Sequence, residues 1–226
     1  MNGSHASLIG MGRAANWTQV DLSPLHAEIF GSVAVILSPV ANLGRLHHQL
    51  VIAACRRGPF LPARAEQAWT AEQRNCWHAP DVQQACLQQL DLVAGCIEIT
   101  VQMSLHEPAQ TGQPVRDGRL YLRQRQSALS AAAAVEMRLG RLADRITEAT
   151  GTAVRSSLRT MSCENGLVGL MLALLVPRSM AAALVPDIDT LTLTSDPDVA
   201  VRIDGPWPPY HFAMPAMADM TGALAA

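Results

Sequence analysis

Apolar and polar positions alternate most cleanly over residues 96–105. Ile97, Ile99, Val101 and Met103 fall on one side and Glu98, Thr100, Gln102 and Ser104 on the other, which predicts a half-buried strand. Shorter runs at 7–11, 33–37, 60–64, 154–161 and 199–203 also read as extended, and 167–176 is apolar throughout, as in a fully buried strand. Helical spacing places Leu43, Leu46, Leu50, Ala53 and Ala54 on one side of a segment with Asn42 as its cap, and Arg56-Arg57-Gly58-Pro59 ends it. Asp81 opens a second helix carrying Val82, Ala85, Cys86, Gln89 and Leu90, closed before Gly95. A long helix is predicted over 119–150, with Leu122, Leu129, Ala133, Val135, Leu139, Leu142 and Ile146 on its apolar side and Arg123, Arg125, Arg138 and Arg141 on its wet side. Ser23-Pro24 reads as a cap and first helical position, giving one or two helical turns over 25–30. Arg178 to Leu184 reads as a short helix and Leu191-Thr192-Leu193-Thr194 as strand.

These elements mix strands with helices able to cover one face of a sheet. The expected fold is α+β: two small domains with antiparallel sheets covered by helices, and the long helix between them. Proline, glycine and glutamine over 108–118 put the boundary there, dividing the chain into 1–107 and 108–226.

Composition narrows the function classes. The 226 residues carry only 16% charged side chains, against roughly 25% in an average globular domain, so burial against a partner is expected. The net charge of −2 and dispersed arginines give no electrostatic case for nucleic acid or an anionic membrane. All 17 basic residues are arginine, which excludes lysine chemistry such as a Schiff base. No basic region followed by an apolar stretch opens the chain, and the apolar run at 167–176 is short of the roughly 20 residues that span a bilayer. A cytoplasmic protein with no membrane partner is expected.

Candidate chemistry is sparse. Cys55, Cys76, Cys86, Cys96 and Cys163 are odd in number and form no Cys-x-x-Cys pair, so reduced thiols are expected. His47 and His48 are adjacent on a helix and therefore point apart, which does not suit a metal. Cys76 and His78 lie near enough in sequence to pose a thiol–imidazole pair, but spacing alone supplies neither contact nor an orienting group, and an inert thiol is the plainer reading. Cys163-Glu164-Asn165-Gly166 reads as a hairpin turn. Asp187, Asp189, Asp196 and Asp198 lack EF-hand spacing and read as solvated turns. Nucleotide-binding and hydrolase motifs are absent. No catalytic, metal-binding or cofactor-binding residues are therefore assigned.

The segment Asp204-Gly205-Pro206-Trp207-Pro208-Pro209-Tyr210-His211-Phe212 holds three prolines and three of the chain's nine aromatics. Proline fixes φ and removes backbone donors, so a stiff extended rod is expected, excluded from helices and central strands. Gly205-Pro206-Trp207-Pro208-Pro209-Tyr210-His211-Phe212 resembles the closing motif Gly-Pro-Trp-Pro-Pro-Tyr-Ser-Phe of the gas vesicle proteins GvpF and GvpL, with histidine in place of serine. Arg57-Gly58-Pro59-Phe60-Leu61-Pro62-Ala63-Arg64 is similar to that family's Arg-Gly-Pro-Val-Leu-Pro-Val-Arg. Residues 97–103 resemble its Val-Glu-Met-Gly-Val-Lys-Val strand, and Gly118-Arg119-Leu120-Tyr121-Leu122 the start of its central helix. The order is that of the family and spans the chain. One departure follows Arg64: the family continues Phe-Gly-Thr, here Ala65-Glu66-Gln67.

The resemblance implies ferredoxin-like sheets and a non-enzymatic accessory role in gas vesicle assembly, with the shell subunit GvpA and other accessory Gvp proteins as partners. Trp207, Pro208, Pro209, Tyr210 and Phe212 are the expected interaction residues, set against the plainer reading that this cluster packs the core against the long helix. Gly58, Pro59, Leu61, Pro62, Arg64, Gly205 and Pro206 complete the family motifs. Two other classes remain: a ligand-binding ferredoxin-like module, and an enzyme using Cys76 or Cys163.

Overall fold

The computed structural model describes residues 6–18, 23–40, 43–105, 118–164, 167–196 and 198–213. The chain forms two four-stranded antiparallel sheets with helices, an α+β architecture. It divides into two compact units, one of residues 1–98 with 206–226 and the other of residues 99–205. This differs from a contiguous division at 107/108. The first ten residues of that predicted boundary, 108–117, lie outside the described residues, and the C-terminal segment groups with the first unit.

In the first unit the sheet contains β1 (Ser7–Arg13), β2 (His26–Phe30), β3 (Val33–Ser38) and β4 (Phe60–Pro62), in the order β2-β3-β1-β4. Three helices accompany it: α1 (Arg45–Cys55), α2 (Ala71–Cys76) and α3 (Pro80–Val93). The helical turns expected over 25–30 are instead strand β2. Its register, His26 opposite Leu37 through Phe30 opposite Val33, is set by the Gly31-Ser32 turn, and pairing with β3 overrides the local proline signal. Both faces of β1 and β3 are dry, because α1 packs against the sheet and Cys86, Leu90 and Val93 of α3 are buried as well.

The apolar face of α1 is the predicted one in part: Leu43 and Ala54 are buried and Leu50 packs on the core, but His47 and Val51 are buried where Leu46 and Ala53 are exposed. The expected cap, Asn42, lies outside the described residues, and Gly44 takes the N-cap position with φ 49°. Helix α2 has no apolar periodicity to announce it. It is started by a capping box in which the Thr70 hydroxyl accepts from the Gln73 N–H and the Gln73 side chain accepts from the Thr70 N–H.

The second unit holds most of β5 (Cys96–Leu105), then α4 (Gly118–Thr150), β6 (Ser156–Glu164), β7 (Leu167–Pro177), α5 (Ala181–Ser195) and most of β8 (Val199–Trp207). The sheet order β6-β7-β5-β8 with this β-α-β-β-α-β succession is the ferredoxin-like arrangement. The β6–β7 hairpin pairs Ser156 with Leu175 through Glu164 with Leu167; its turn residues Asn165 and Gly166 lie outside the described residues. Ile99, Val101 and Met103 meet Leu139, Leu142, Ala143 and Ile146 of α4 and Leu184 and Ile188 of α5 in one core.

The predicted strand at 191–194 is the last part of α5. The four-residue spacing of Leu184 and Ile188 decides this, and the Thr190 and Thr194 hydroxyls donate back to the carbonyls of Pro186 and Thr190 at 2.9 and 3.0 Å. In α4 the predicted single apolar side is two sides: Leu139, Leu142 and Ile146 face the core, whereas Leu122, Leu129 and Ala133 are exposed.

Candidate functional site

The closing segment begins as the end of an edge strand. Pro206 sits in β8, an edge strand, the place in a sheet that tolerates proline. The rod then ends. Past Pro208 the backbone turns helically over 210–213, with the Tyr210 N–H donating to the Pro208 carbonyl at 2.7 Å and the Ala213 N–H to Pro209 at 3.0 Å. This corrects the expectation of an extended segment excluded from helix.

The turn buries Pro208, Pro209, Phe212 and Ala213 and leaves Gly205, Pro206 and Trp207 exposed. Phe212 is held at its carbonyl, which accepts from Gln89 Nε2 of α3 at 2.5 Å. Tyr210 packs beside the cluster of Ile9, Trp17, Val51 and Phe60. Its hydroxyl is 2.8 Å from His48 Nδ1, and burial, with smaller contributions from Cys55 and Glu98, pushes its pKa up to about 12. His48 stacks on the Tyr210 ring at 5.9 Å and meets the Trp207 ring edge-on at 5.6 Å. The segment therefore packs on the first unit's own helices and sheet, with Trp207, 39% exposed, at its margin.

The alternation puts Glu98 and Thr100 on the wet side of β5, yet they are 1% and 5% exposed, so this strand is dry on both faces over residues 96–101. The Glu98 carboxylate accepts from the His211 N–H at 2.9 Å and lies 2.6 Å from His211 Nδ1. The hydrogen bond to Glu98 raises the His211 pKa against the opposing effects of burial and Arg64. A buried carboxylate needs such partners, because ionised oxygens taken out of water are costly when unpaired. One polar residue in a strand gives no sign of what will cover it, so sequence reasoning could not have paired Glu98 with a residue 113 positions away.

The family-motif residues around 57–64 are structural in placement. Gly58 has φ 153°, and a Cβ there would fall 2.3 Å from Asn16 Nδ2. Pro59 follows it, Leu61 and Pro62 are buried in β4, and Arg64 is exposed just past that strand. The Arg57 guanidinium lies 5.2 Å over the Trp17 ring.

The other candidates separate. His47 is buried with Nε2 unpartnered, and burial lowers its pKa. His48, beside it in sequence, faces Tyr210. The Cys76 thiol donates to the Glu72 carbonyl of its own helix at 3.1 Å, while the His78 ring meets Phe30 edge-on at 5.2 Å. The Cys163 side chain lies outside the described ones. Asp196 and Asp198 both pair with Arg138, which holds the Asp196 carboxyl below its usual range, and Asp187 and Asp189 are in α5. Among the described residues no group of three or more acidic, histidine or cysteine side chains is placed to hold a metal, and no helix is long and apolar enough to cross a membrane. A trough of about 530 Å³ opens on the second sheet, lined by Gln102, Ser104, Thr160, Ser162, Met171 and Arg202 among others.

Comparison with known proteins agrees with the motif reading. The family described as "Gas vesicle synthesis protein GvpL/GvpF" matches residues 14–214. No curated protein matches. The crystal structure of gas vesicle protein GvpF from Microcystis aeruginosa is similar, with a TM-score of 0.65 at 12% identity, covering 93% of this chain and 99% of that one. The crystal structure of GvpF from Anabaena sp. PCC7120 gives a TM-score of 0.58 at 11% identity, covering 93% and 98%. Identity this low carries the fold, whereas the family match runs from just past β1 through the second sheet, the long helix and the closing motif: the chain belongs to the GvpL/GvpF gas vesicle family.

Proposed function

We propose that this chain is an accessory protein of gas vesicle assembly that works in the cytoplasm or at the vesicle, without catalysis, by binding the shell subunit GvpA and other accessory Gvp proteins. The observation that carries this reading is the family match over residues 14–214. The sparse charge is in keeping with a protein whose surface meets an apolar shell subunit. Before assembly such a subunit exposes a water-repelling face, and a protein that covers that face would limit its aggregation.

Within the closing segment the roles divide by burial. Pro208, Pro209, Tyr210 and Phe212 serve as the footing, and Trp207 as the contact presented by it. A footing already ordered costs little further entropy on binding. The test is co-expression with the shell subunit followed by co-purification. Retention of the subunit by the wild-type chain, and its loss in Trp207→Ala at unchanged melting temperature, is the expected result. No retention by a folded wild-type chain would remove the shell subunit as partner.

The trough on the second sheet favours one other reading, a module for a small polar ligand. A thermal-shift screen decides it, since a ligand that binds only the folded chain raises the melting temperature.

A further inference from the structure

The long helix α4 has two apolar faces, and its own unit uses one of them. Leu139, Leu142, Ala143 and Ile146 are buried in the core. Leu122, Leu129 and Met137 are 63%, 65% and 61% exposed. With Ala133 they form a stripe roughly 80° wide, centred roughly 130° around the helix from the buried face. Gln126 interrupts the stripe and Asp144, paired with Arg159, ends it. An amphipathic helix in a globular protein has one such face, turned to its core. A second one this long has no use within the unit.

Charge around the stripe says what kind of partner fits. Residues 118–137, over which the stripe runs, contain three arginines, Arg119, Arg123 and Arg125, against one acidic residue, Glu136, which is exposed on the other border. Arg119, Arg123 and, further along, Arg141 follow one border of the stripe, and all three are exposed. A second copy of this chain laid antiparallel would set that arginine border against itself, and one laid parallel would offer its arginines a single carboxylate, Glu136. A bilayer would be met by a stripe too narrow and too broken by Gln126 to sink in.

We propose that the exposed face of α4 docks an amphipathic helix of another protein, one with an apolar stripe bordered by aspartate or glutamate. Leu122, Leu129 and Met137 take the apolar positions, as in helix-to-helix packing, and Arg123 and Arg141 select the acidic border. This surface is distinct from Trp207 and does not depend on the gas vesicle reading.

The test uses the full chain and two labelled helical peptides of about 20 residues, long enough to be helical in a leucine-striped sequence. Both carry the same leucine stripe; one is bordered by glutamate and the other by lysine. Fluorescence anisotropy is expected to show binding of the glutamate peptide, weakened about tenfold on raising the salt from low to near molar, where screening is nearly complete. Leu122→Gln with Leu129→Gln should abolish binding with the circular dichroism spectrum kept. Leu193→Gln, an exposed leucine of α5, should leave it unchanged. Arg123→Gln with Arg141→Gln should remove the preference for the glutamate peptide. Equal binding of both peptides, binding of neither, or binding unaffected by the leucine changes overturns the proposal. A dimer seen by sedimentation and lost in the leucine variant also overturns it, in favour of self-association.

Discussion

His211 stands where the family motif carries serine, and it brings a titratable group onto a buried carboxylate. Because Glu98 raises its folded-state pKa above the ordinary 6.5, the protonated ring stabilises the fold fully below pH 6.5, and that contribution is lost as the pH rises through the raised value. His211 should therefore contribute a decline in the melting temperature on going from pH 6 to mildly alkaline conditions, opposite in sign to buried His47, whose lowered pKa adds stability as the pH rises toward 6.5. His211→Ser should flatten that decline; an equal decline in the variant would remove His211 as its source. Glu66 is a second departure, and it occupies a left-handed conformation with φ 66° at the position where the family has glycine. A side chain there costs about 1–2 kcal/mol, while glycine adds unfolded-state freedom costing about 0.5–1 kcal/mol. Glu66→Gly should accordingly be neutral to stabilising by about 1 kcal/mol, read as a rise of a few degrees in melting temperature.

At the scale of elements, α4 separates periodicity from burial. Its 33 residues carry leucines at helical spacing throughout, so the segment forms a helix whichever face is covered. Covering is decided by the sheet, which meets it through Leu139, Leu142, Ala143 and Ile146. Leu142→Ala should cost about 2–5 kcal/mol, as buried leucines do, whereas Leu129→Ala should stay within about 0.5 kcal/mol of wild type. Denaturant melts of the two variants compare them directly; equal losses would mean that Leu129 is buried by something in the free protein. The same separation explains α5. Leu191 to Thr194 alternate like a strand, but four residues of alternation are too few to outweigh the helical spacing of Leu184 and Ile188 on the core.

For the molecule as a whole, the closing segment decides which unit the chain end belongs to. It leaves β8 and groups with residues 1–98. The Phe212 ring and carbonyl and the His211–Glu98 pair are the fastenings there. Phe212→Ala should lose about 3–5 kcal/mol, like other buried aromatics, and Trp207→Ala far less, because its ring is already at the margin. Early melting of Trp207→Ala would assign that ring to packing rather than to docking.

Local information in the chain determined the α+β class, the long helix to within a residue at its start, the strands at 96–105 and 167–176, and the family through motifs whose prolines and glycines have backbone reasons to stay. These are properties of neighbours in sequence: propensity, period and φ. The tertiary structure alone decided that Glu98 is buried, that α4 has a spare apolar face, that 25–30 is strand, and that the aromatic segment packs within the first unit. Each depends on which distant surface excludes water from a side chain, or on which distant strand pairs with a backbone. No pattern along the chain records that, because burial is a property of the assembled core.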